Sequence, residues 1–176
     1  MQKTDIRQII RQRKAACSKE ERAALSAELC RMLENEPHVA QARTILLYYP
    51  LPDEADLRPL IVKLADRRIL LPVVVGDDLE LSLYEDEDKL SEGAFHILEP
   101  QGKAFTNYEE IETALIPGVA FTREGDRLGR GKGYYDRLLS RLTKTYKIGV
   151  CWPFQIVEAI PHEEHDIRMD QVVSVY

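Results

Sequence analysis

The sequence is poor in cysteine and lacks an excess of positive charge. Its three cysteines, Cys17, Cys30 and Cys151, are widely spaced and form no CxxC pair. This pattern argues against a disulfide framework or a cysteine metal site, and it favours a reducing cytosolic environment. The net charge of -6 argues against a protein that binds nucleic acid or a membrane surface, since both kinds are usually basic.

Long apolar runs and the familiar nucleotide motifs are also missing. No apolar segment approaches the length needed to span a membrane, and the N-terminal residues are too polar for a signal peptide. Neither the Walker spacing (GxxxxGK followed by Ser or Thr) nor the Rossmann GxGxxG-plus-acid pattern occurs. With 176 residues and no internal repeat, we expect one cytoplasmic domain, residues 1–176, with a substantial core.

Residues 127–136, with the sequence RLGRGKGYYD, combine the features of a site for a bound anion. Three glycines alternate with Arg130 and Lys132, and two tyrosines and an aspartate follow. Glycine lets backbone N–H groups approach a ligand closely, and the two cations add full positive charge. The apolar spacing of residues 135–142 predicts that the loop leads into a helix, whose N-terminus also favours an anion. The pattern indicates a phosphate or polycarboxylate site; a tight surface turn with solvated charges is the alternative.

A first helix is predicted from Lys3 to Ala16, because three isoleucines share one face. The remaining positions of this segment are strongly basic. Lys3 and Arg7 lie one turn apart, which would let them point together at a ligand phosphate. A solvated charged face is the more usual explanation for such a run.

Apolar strands alternate with amphipathic helices along the rest of the chain, as expected for a layered α/β fold. A capping box at Ser18 and Glu21 begins a second helix that runs to about Leu33, and the helix after the anion loop is expected to end near Lys144. Residues 76–78 indicate a hairpin, so the sheet is expected to be mixed rather than purely parallel. The predicted strands cover residues 44–49, 69–75, 79–84, 113–121 and 147–152.

Tyr49 and Glu54 follow the first of these strands. Loops at the carboxyl ends of parallel strands are where open α/β sheets bind ligands, so both residues are candidates for a binding site. Capping of the next helix by Glu54 or Asp56 is an equal alternative.

The segment 161–170 is rich in side chains that can hold a metal. Its two histidines are at i and i+3 after a proline, whereas a zinc hydrolase would have HExxH, so zinc is disfavoured. A hard cation held by carboxylates, such as Mg²⁺, fits better, with Asp136 and Asp166 as its candidate ligands. Alternatively, Asp136 is a first-turn acid favoured by the helix dipole.

The stretch 127–136 closely resembles the signature of the 5-formyltetrahydrofolate cyclo-ligase family, also called methenyltetrahydrofolate synthetases, and the resemblance extends over nearly the whole chain. It implies a three-layer α/β/α fold with a mixed, largely parallel sheet, of the kind shared with sugar-phosphate isomerases and acyl-CoA transferases. It also implies ATP- and Mg²⁺-dependent cyclisation of 5-formyltetrahydrofolate to 5,10-methenyltetrahydrofolate, with ADP and phosphate released. Thr122 stands where many relatives have an acid, so no role is assigned to it.

The resemblance also implies roles for individual residues. Arg130 and Lys132 would stabilise charge during the reaction, Tyr49 and Glu54 would contact the folate, and Arg130 to Tyr134 would contact both substrates. Asp136 and Asp166 match positions that look like magnesium ligands. The residues expected to contact ATP are Lys3, Thr4, Asp5, Ile6, Arg7, Arg127, Leu128, Gly129, Arg130, Gly131, Lys132, Gly133, Tyr134 and Tyr135.

Two other functions stay open at this point. One is a different enzyme on a similar scaffold, such as a sugar-phosphate isomerase or acyl-CoA transferase, which would bind phosphate without transferring it. The other is a catalytically silent relative that binds nucleotide or RNA, although the signature is intact and no basic segment is appended. We expect a monomer with two small-molecule substrates and no nucleic-acid or membrane partner.

Overall fold

A seven-stranded sheet runs through the centre of the molecule, and the computed structural model describes residues 1–176. The strands are β1 (Thr44–Leu46), β2 (Arg68–Val75), β3 (Asp78–Leu83), β4 (Leu90–Glu92), β5 (Leu98–Pro100), β6 (Ala104–Phe105), β7 (Thr113–Ile116), β8 (Ala120–Phe121), β9 (Arg127–Leu128), β10 (Tyr146–Val150) and β11 (Gln171–Val173). The order in the sheet is β11-β10-β7-β1-β2-β3-β6, with β4–β5 and β8–β9 as separate ribbons. Four pairings in the sheet are parallel, and the two that involve β3 are antiparallel.

Five α-helices accompany these strands, together with four short 3₁₀ turns. The helices are α1 (Lys3–Ala16), α2 (Lys19–Asn35), α3 (Pro37–Gln41), α4 (Arg58–Lys63) and α5 (Tyr134–Leu139). The predicted bounds of α1 are confirmed, and Ser18 caps α2 by accepting a hydrogen bond from the Glu21 N–H at 3.0 Å. None of these helices combines the length and the apolar character that crossing a membrane requires.

Helices cover both faces of the sheet. Leu47, which follows β1, shares a buried cluster with Leu33 of α2 and Ile61 of α4. Its neighbour Leu46 belongs to the cluster on the other face, together with Leu138 of α5. Successive strand residues point to opposite faces, so one short apolar run serves both cores. The predicted three-layer α/β/α arrangement with a mixed, largely parallel sheet is confirmed.

Helix α1 packs on the β8–β9 ribbon instead of the main sheet. Ile6 and Ile10 are almost fully buried in a third cluster with Ala120, Leu128 and Ile160. The ribbon contains the first residues of the anion loop, so this packing brings the basic helix against the RLGRGKGYYD stretch.

The predicted strand 113–121 is in fact two strands with a break between them. β7 ends at Ile116, and Pro117 cannot donate a ladder hydrogen bond. The chain then leaves the sheet, and β8 pairs with β9 so that Phe121 lies opposite Arg127. The break therefore helps to place the anion loop beside the carboxyl ends of the parallel strands.

Helix α5 is shorter than predicted, since it ends at Leu139 and not near Lys144. Beyond it, Leu142 N–H bonds to the Leu139 carbonyl in a tight turn, and the Leu142 side chain is fully buried. The Thr145 hydroxyl then donates to the Ile111 carbonyl at 2.8 Å and fixes the start of β10. The burial of Leu142 and the long-range contact of Thr145 end the helix before its apolar pattern does.

Candidate active site

A cleft of about 670 Å³ lies above the carboxyl ends of β1, β2 and β7. Its walls come from the start of α1, the loop 48–54, the loop 95–99, the stretch 127–136 and the segment 163–166. The two regions predicted to contact ATP and folate therefore face the same space, although about 75 residues of chain separate them.

Glycines give the anion loop its shape. Gly131 has a φ of +102° and Gly133 a φ of +73°, values that non-glycine residues rarely adopt. Gly133 is also the residue directly before α5, so the predicted passage from loop to helix is confirmed. Because α5 has only six residues, its dipole is smaller than the sequence suggested, and side-chain charge must supply more of the attraction for an anion.

Arg127 supplies such charge at the floor of the cleft. Its side chain is 6% exposed and its Nε donates to the Pro117 carbonyl at 2.7 Å. Its Nη1 lies 3.8 Å from Asp136 Oδ1, and its guanidinium lies 5.0 Å from the centre of the Tyr135 ring. Burial lowers the pKa of Arg127 from its ordinary value, while Asp136 and Tyr135 work against that shift.

Arg130 joins the two predicted binding regions. Its Nη1 and Nη2 donate to the two carboxylate oxygens of Asp53 at 3.2 and 2.8 Å. Its Nη2 is also 3.7 Å from Glu54 Oε2. The bidentate ion pair between Arg130 and Asp53 thus links the loop that carries Glu54 to the loop that carries Arg130.

Glu54 lines the cleft and does not cap α4. Its side chain is 14% exposed, and its Oε1 accepts a hydrogen bond from the Leu51 N–H at 2.9 Å. Burial raises the pKa of Glu54, and the Leu51 N–H and Arg130 oppose that shift. Asp56 lies two residues before α4, and its Oδ1 accepts from the N–H of Arg58, the first residue of that helix, at 3.0 Å. The capping alternative therefore holds for Asp56 alone.

Lys132 and Tyr49 lie at the mouth of the cleft. The exposed ammonium of Lys132 is 5.4 Å from the centre of the Phe95 ring and forms no ion pair with the chain. The Tyr49 hydroxyl donates to Glu87 Oε1 at 3.0 Å, and burial, followed by Glu87, raises the pKa of Tyr49. Phe95 was not predicted as a site residue; it adopts a φ of +57°, which no local sequence pattern indicated.

The N-terminal segment places two of its five predicted residues in the lining of the cleft. Lys3 and Arg7 both line the cleft, and Arg7 Nε donates to the Gly129 carbonyl at 2.9 Å. One helical turn separates them, so the residues between them point elsewhere. Thr4 and Asp5 are exposed outside the cleft, and Asp5 accepts a hydrogen bond from the Gln2 N–H. Ile6 is buried in the core. The expected ATP contacts of these three residues stay a prediction.

Leu128 and Tyr135 both border the cleft. The Leu128 side chain is 1% exposed and packs in the cluster under α1. Tyr135 borders the cleft, but burial raises its pKa well above the ordinary value, with Glu54 as the next cause. Tyr134 is half-buried at the rim, with its ring 6.2 Å from that of Phe95.

Asp136 and Asp166, the predicted magnesium ligands, meet at one end of the cleft. Together with His165 they offer ligand atoms that all lie within 4.8 Å of one another. Two carboxylates suit a hard cation such as Mg²⁺, so the residues present fit the implied ion. Lys3 Nζ is 3.2 Å from Asp166 Oδ2; although burial opposes it, the Glu163 N–H and Lys3 lower the pKa of Asp166 and favour its ionised form.

Comparison with known proteins shows which family the chain belongs to. The model of the 5-formyltetrahydrofolate cyclo-ligase family matches residues 1–175. The chain belongs to this family. The Escherichia coli K12 5-formyltetrahydrofolate cyclo-ligase is 32% identical over 176 residues, covering 94% of this chain and 96% of the relative. The Mus musculus enzyme of the same name is 28% identical, covering 97% and 92%.

Solved cyclo-ligase family structures agree with the fold described above. The NMR structure of Aquifex aeolicus 5,10-methenyltetrahydrofolate synthetase has a TM-score of 0.87 and 37% identity, with 99% of this chain and 90% of that chain covered. The Mycoplasma pneumoniae synthetase has a TM-score of 0.78 and 27% identity, with 98% of both chains covered. The family prediction made from the RLGRGKGYYD stretch is confirmed.

Sequence reasoning assigned no site role to His165, which lines the cleft, to Asp53, which pairs with the cleft residue Arg130, or to Lys14. Lys14 Nζ is 3.3 Å from Asp53 Oδ2. Lys14 follows Lys3 by three helical turns and so lies on the same face as Lys3 and Arg7, a signal that was available in the sequence. Asp53 had no such signal, because its partners are far away in the chain.

Proposed function

We propose that this cyclo-ligase family member converts 5-formyltetrahydrofolate to 5,10-methenyltetrahydrofolate with consumption of ATP and release of ADP and phosphate. The observation that carries the proposal is the single cleft in which the family signature faces the loop of Tyr49 and Glu54. That arrangement lets a triphosphate and a reduced pterin meet, which the reaction requires.

The chemistry needs positioned charge more than a side-chain nucleophile. The formyl oxygen attacks the γ-phosphorus of ATP, and the bond to the ADP oxygen breaks with its electron pair. N10 then attacks the formyl carbon and loses its proton, which closes the five-membered ring. The carbon–oxygen bond breaks and phosphate leaves with the electron pair, so the product is the methenyl cation. Phosphoryl transfer of this kind depends mainly on positioning and electrostatic stabilisation.

The residues of the cleft supply those functions. Arg130 and Lys132 stabilise charge on the transferring group and the formyl oxygen, and the buried Arg127 adds charge beneath them. The glycine backbone allows the triphosphate to approach closely. Glu54 accepts hydrogen bonds from the amino and N–H groups of the pterin, for which a carboxylate is suited.

Asp136 and Asp166, with His165 beside them, would hold a Mg²⁺ ion. When bound, this ion neutralises charge on the triphosphate and its leaving group. Lys3, which pairs with Asp166 and Glu163, helps to hold these two side chains at the same end of the cleft.

Formation of the methenyl product, followed by its absorbance with and without ATP, tests the proposed reaction. Lys132→Ala is expected to lower kcat/KM by about a hundredfold, since removal of one positioned charge-stabilising group typically has an effect of this size. Lys144→Ala is the matched control: Lys144 is exposed, pairs with Glu109 and lies outside the cleft. Activity of Lys132→Ala within tenfold of the wild type would show that the assignment is wrong.

A further inference from the structure

Asp53 forms a bidentate ion pair, called the fork below, with the guanidinium of Arg130. Each carboxylate oxygen accepts from a different Nη nitrogen, at 3.2 and 2.8 Å. This paired geometry restricts both the direction and the rotation of a guanidinium group, which a single contact does not do. The Arg130 side chain is 50% exposed, and its other ionic contact, to Glu54 Oε2 at 3.7 Å, is longer than both contacts to Asp53.

Lys14 of α1 holds Asp53 from the other side. Its Nζ lies 3.3 Å from Asp53 Oδ2, and its side chain is 22% exposed. Burial alone would raise the pKa of Asp53, but Arg130 and then Lys14 outweigh it and lower the pKa. Asp53 is therefore a carboxylate at neutral pH, with one cation in each direction.

The fork leaves Arg130 able to bind a ligand. A guanidinium has five N–H donors, and the pair with Asp53 uses one on each of two nitrogens. The remaining donors are free to meet an anion in the cleft that Arg130 lines. Asp53 also directly precedes Glu54. The loop that would contact the pterin therefore also carries the carboxylate that pairs with Arg130.

We infer that Asp53 is a positioning residue that orients Arg130 toward the transferring phosphoryl group, and that Lys14 orients Asp53. The inference rests on the proposed catalytic role of Arg130. It assigns to Asp53 no contact with either substrate. A loss of Asp53 would therefore act on kcat through Arg130, while pterin binding through Glu54 would persist.

The test compares Asp53→Asn with the wild type in the ATP-dependent cyclisation assay. We expect kcat to fall about tenfold or more, since misplacing a catalytic group by about 1 Å can lower the rate a hundredfold. The KM for 5-formyltetrahydrofolate should change less than threefold. Asp53→Glu, which keeps the carboxylate, should recover part of the lost kcat. Asp56→Asn is the matched control on the same loop, because Asp56 pairs with Arg58 outside the cleft, and its kcat should stay within twofold of the wild type.

A double-mutant comparison separates positioning from a general structural effect. Arg130→Lys keeps the charge but cannot form the fork, so it should itself lower kcat, and adding Asp53→Asn should then change kcat less than twofold. If Asp53→Asn keeps kcat within twofold of the wild type, or has its full effect in the Arg130→Lys background, the positioning role is refuted.

The failure of the underlying function would look different. If Arg130→Lys retains full kcat, the catalytic role of Arg130 fails, and the inference about Asp53 fails with it. Thermal unfolding midpoints verify that each variant is folded. If Asp53→Asn does not fold, Lys14→Met takes its place, with an expected drop in kcat of about threefold and no change in folate KM; an unchanged kcat would then refute the inference.

Discussion

Gly125 sits where a methyl group would strike the backbone of the segment that carries Asp166. It has a φ of +108°, and a Cβ built on it would lie 2.4 Å from the Met169 carbonyl oxygen. The Gly125 carbonyl accepts a hydrogen bond from the Met169 N–H at 2.8 Å. Met169 itself is 4% exposed. Gly125→Ala must therefore strain the turn or push away the 166–169 segment.

The size of the effect follows from these contacts. A non-glycine residue in such a conformation costs about 1–3 kcal/mol, and the loss of one hydrogen bond costs about 1 kcal/mol. Together they lower the free energy of unfolding by about 2–4 kcal/mol, a large share of the roughly 5–15 kcal/mol typical of a native protein. Gly76→Ala is the control: its φ is +62°, but no atom lies within 4 Å of the added carbon, so about 1 kcal/mol is expected.

Urea unfolding of the wild type and the two variants measures this difference. We expect the free energy of unfolding to fall in the order wild type, Gly76→Ala, Gly125→Ala, with an unchanged slope against urea concentration. Equal losses for the two alanine variants would refute the close approach of Gly125 and Met169 as the cause.

Two further predictions concern the cleft. Burial raises the pKa of Glu54, so as the pH falls Glu54 is protonated before carboxyl groups of ordinary pKa. The KM for 5-formyltetrahydrofolate should therefore rise on acidification in the wild type. In Glu54→Gln the KM should depend less on pH. An acid whose pKa is raised on folding destabilises the fold above that pKa, so Glu54→Gln should also unfold at a higher temperature than the wild type at pH 7, and a lower midpoint would contradict the assigned burial cost. For the metal site, the wild type should unfold at a higher temperature with ATP and Mg²⁺ than with ATP and a chelator. This difference in thermal midpoint should disappear in Asp136→Asn and Asp166→Asn. Glu164→Gln, an exposed control on the same segment, should retain it; retention by both aspartate variants would exclude them as ligands.

Much of the fold was predictable because its signals are local. The N-cap at Ser18, the isoleucine spacing of α1 and the hairpin at residues 76–78 each depend on residues a few positions apart. The end of α5 and the split of the strand at Pro117 were not predicted, because distant partners decide them. Thr145 reaches Ile111 to begin β10, and β8 leaves the sheet to pair with β9.

The same division applies to the candidate site. Amino-acid types and short spacings determined its chemistry: a glycine loop with two cations, a basic helix face, and carboxylates able to hold a hard ion. Only the tertiary structure decided which of these side chains share the cleft. Asp53, for example, pairs with Arg130, whereas Ile6 is buried in the core. The physical reason is that distances across the cleft depend on strand order and on loop packing, which join segments far apart in the chain, and no local pattern of residues contains those distances.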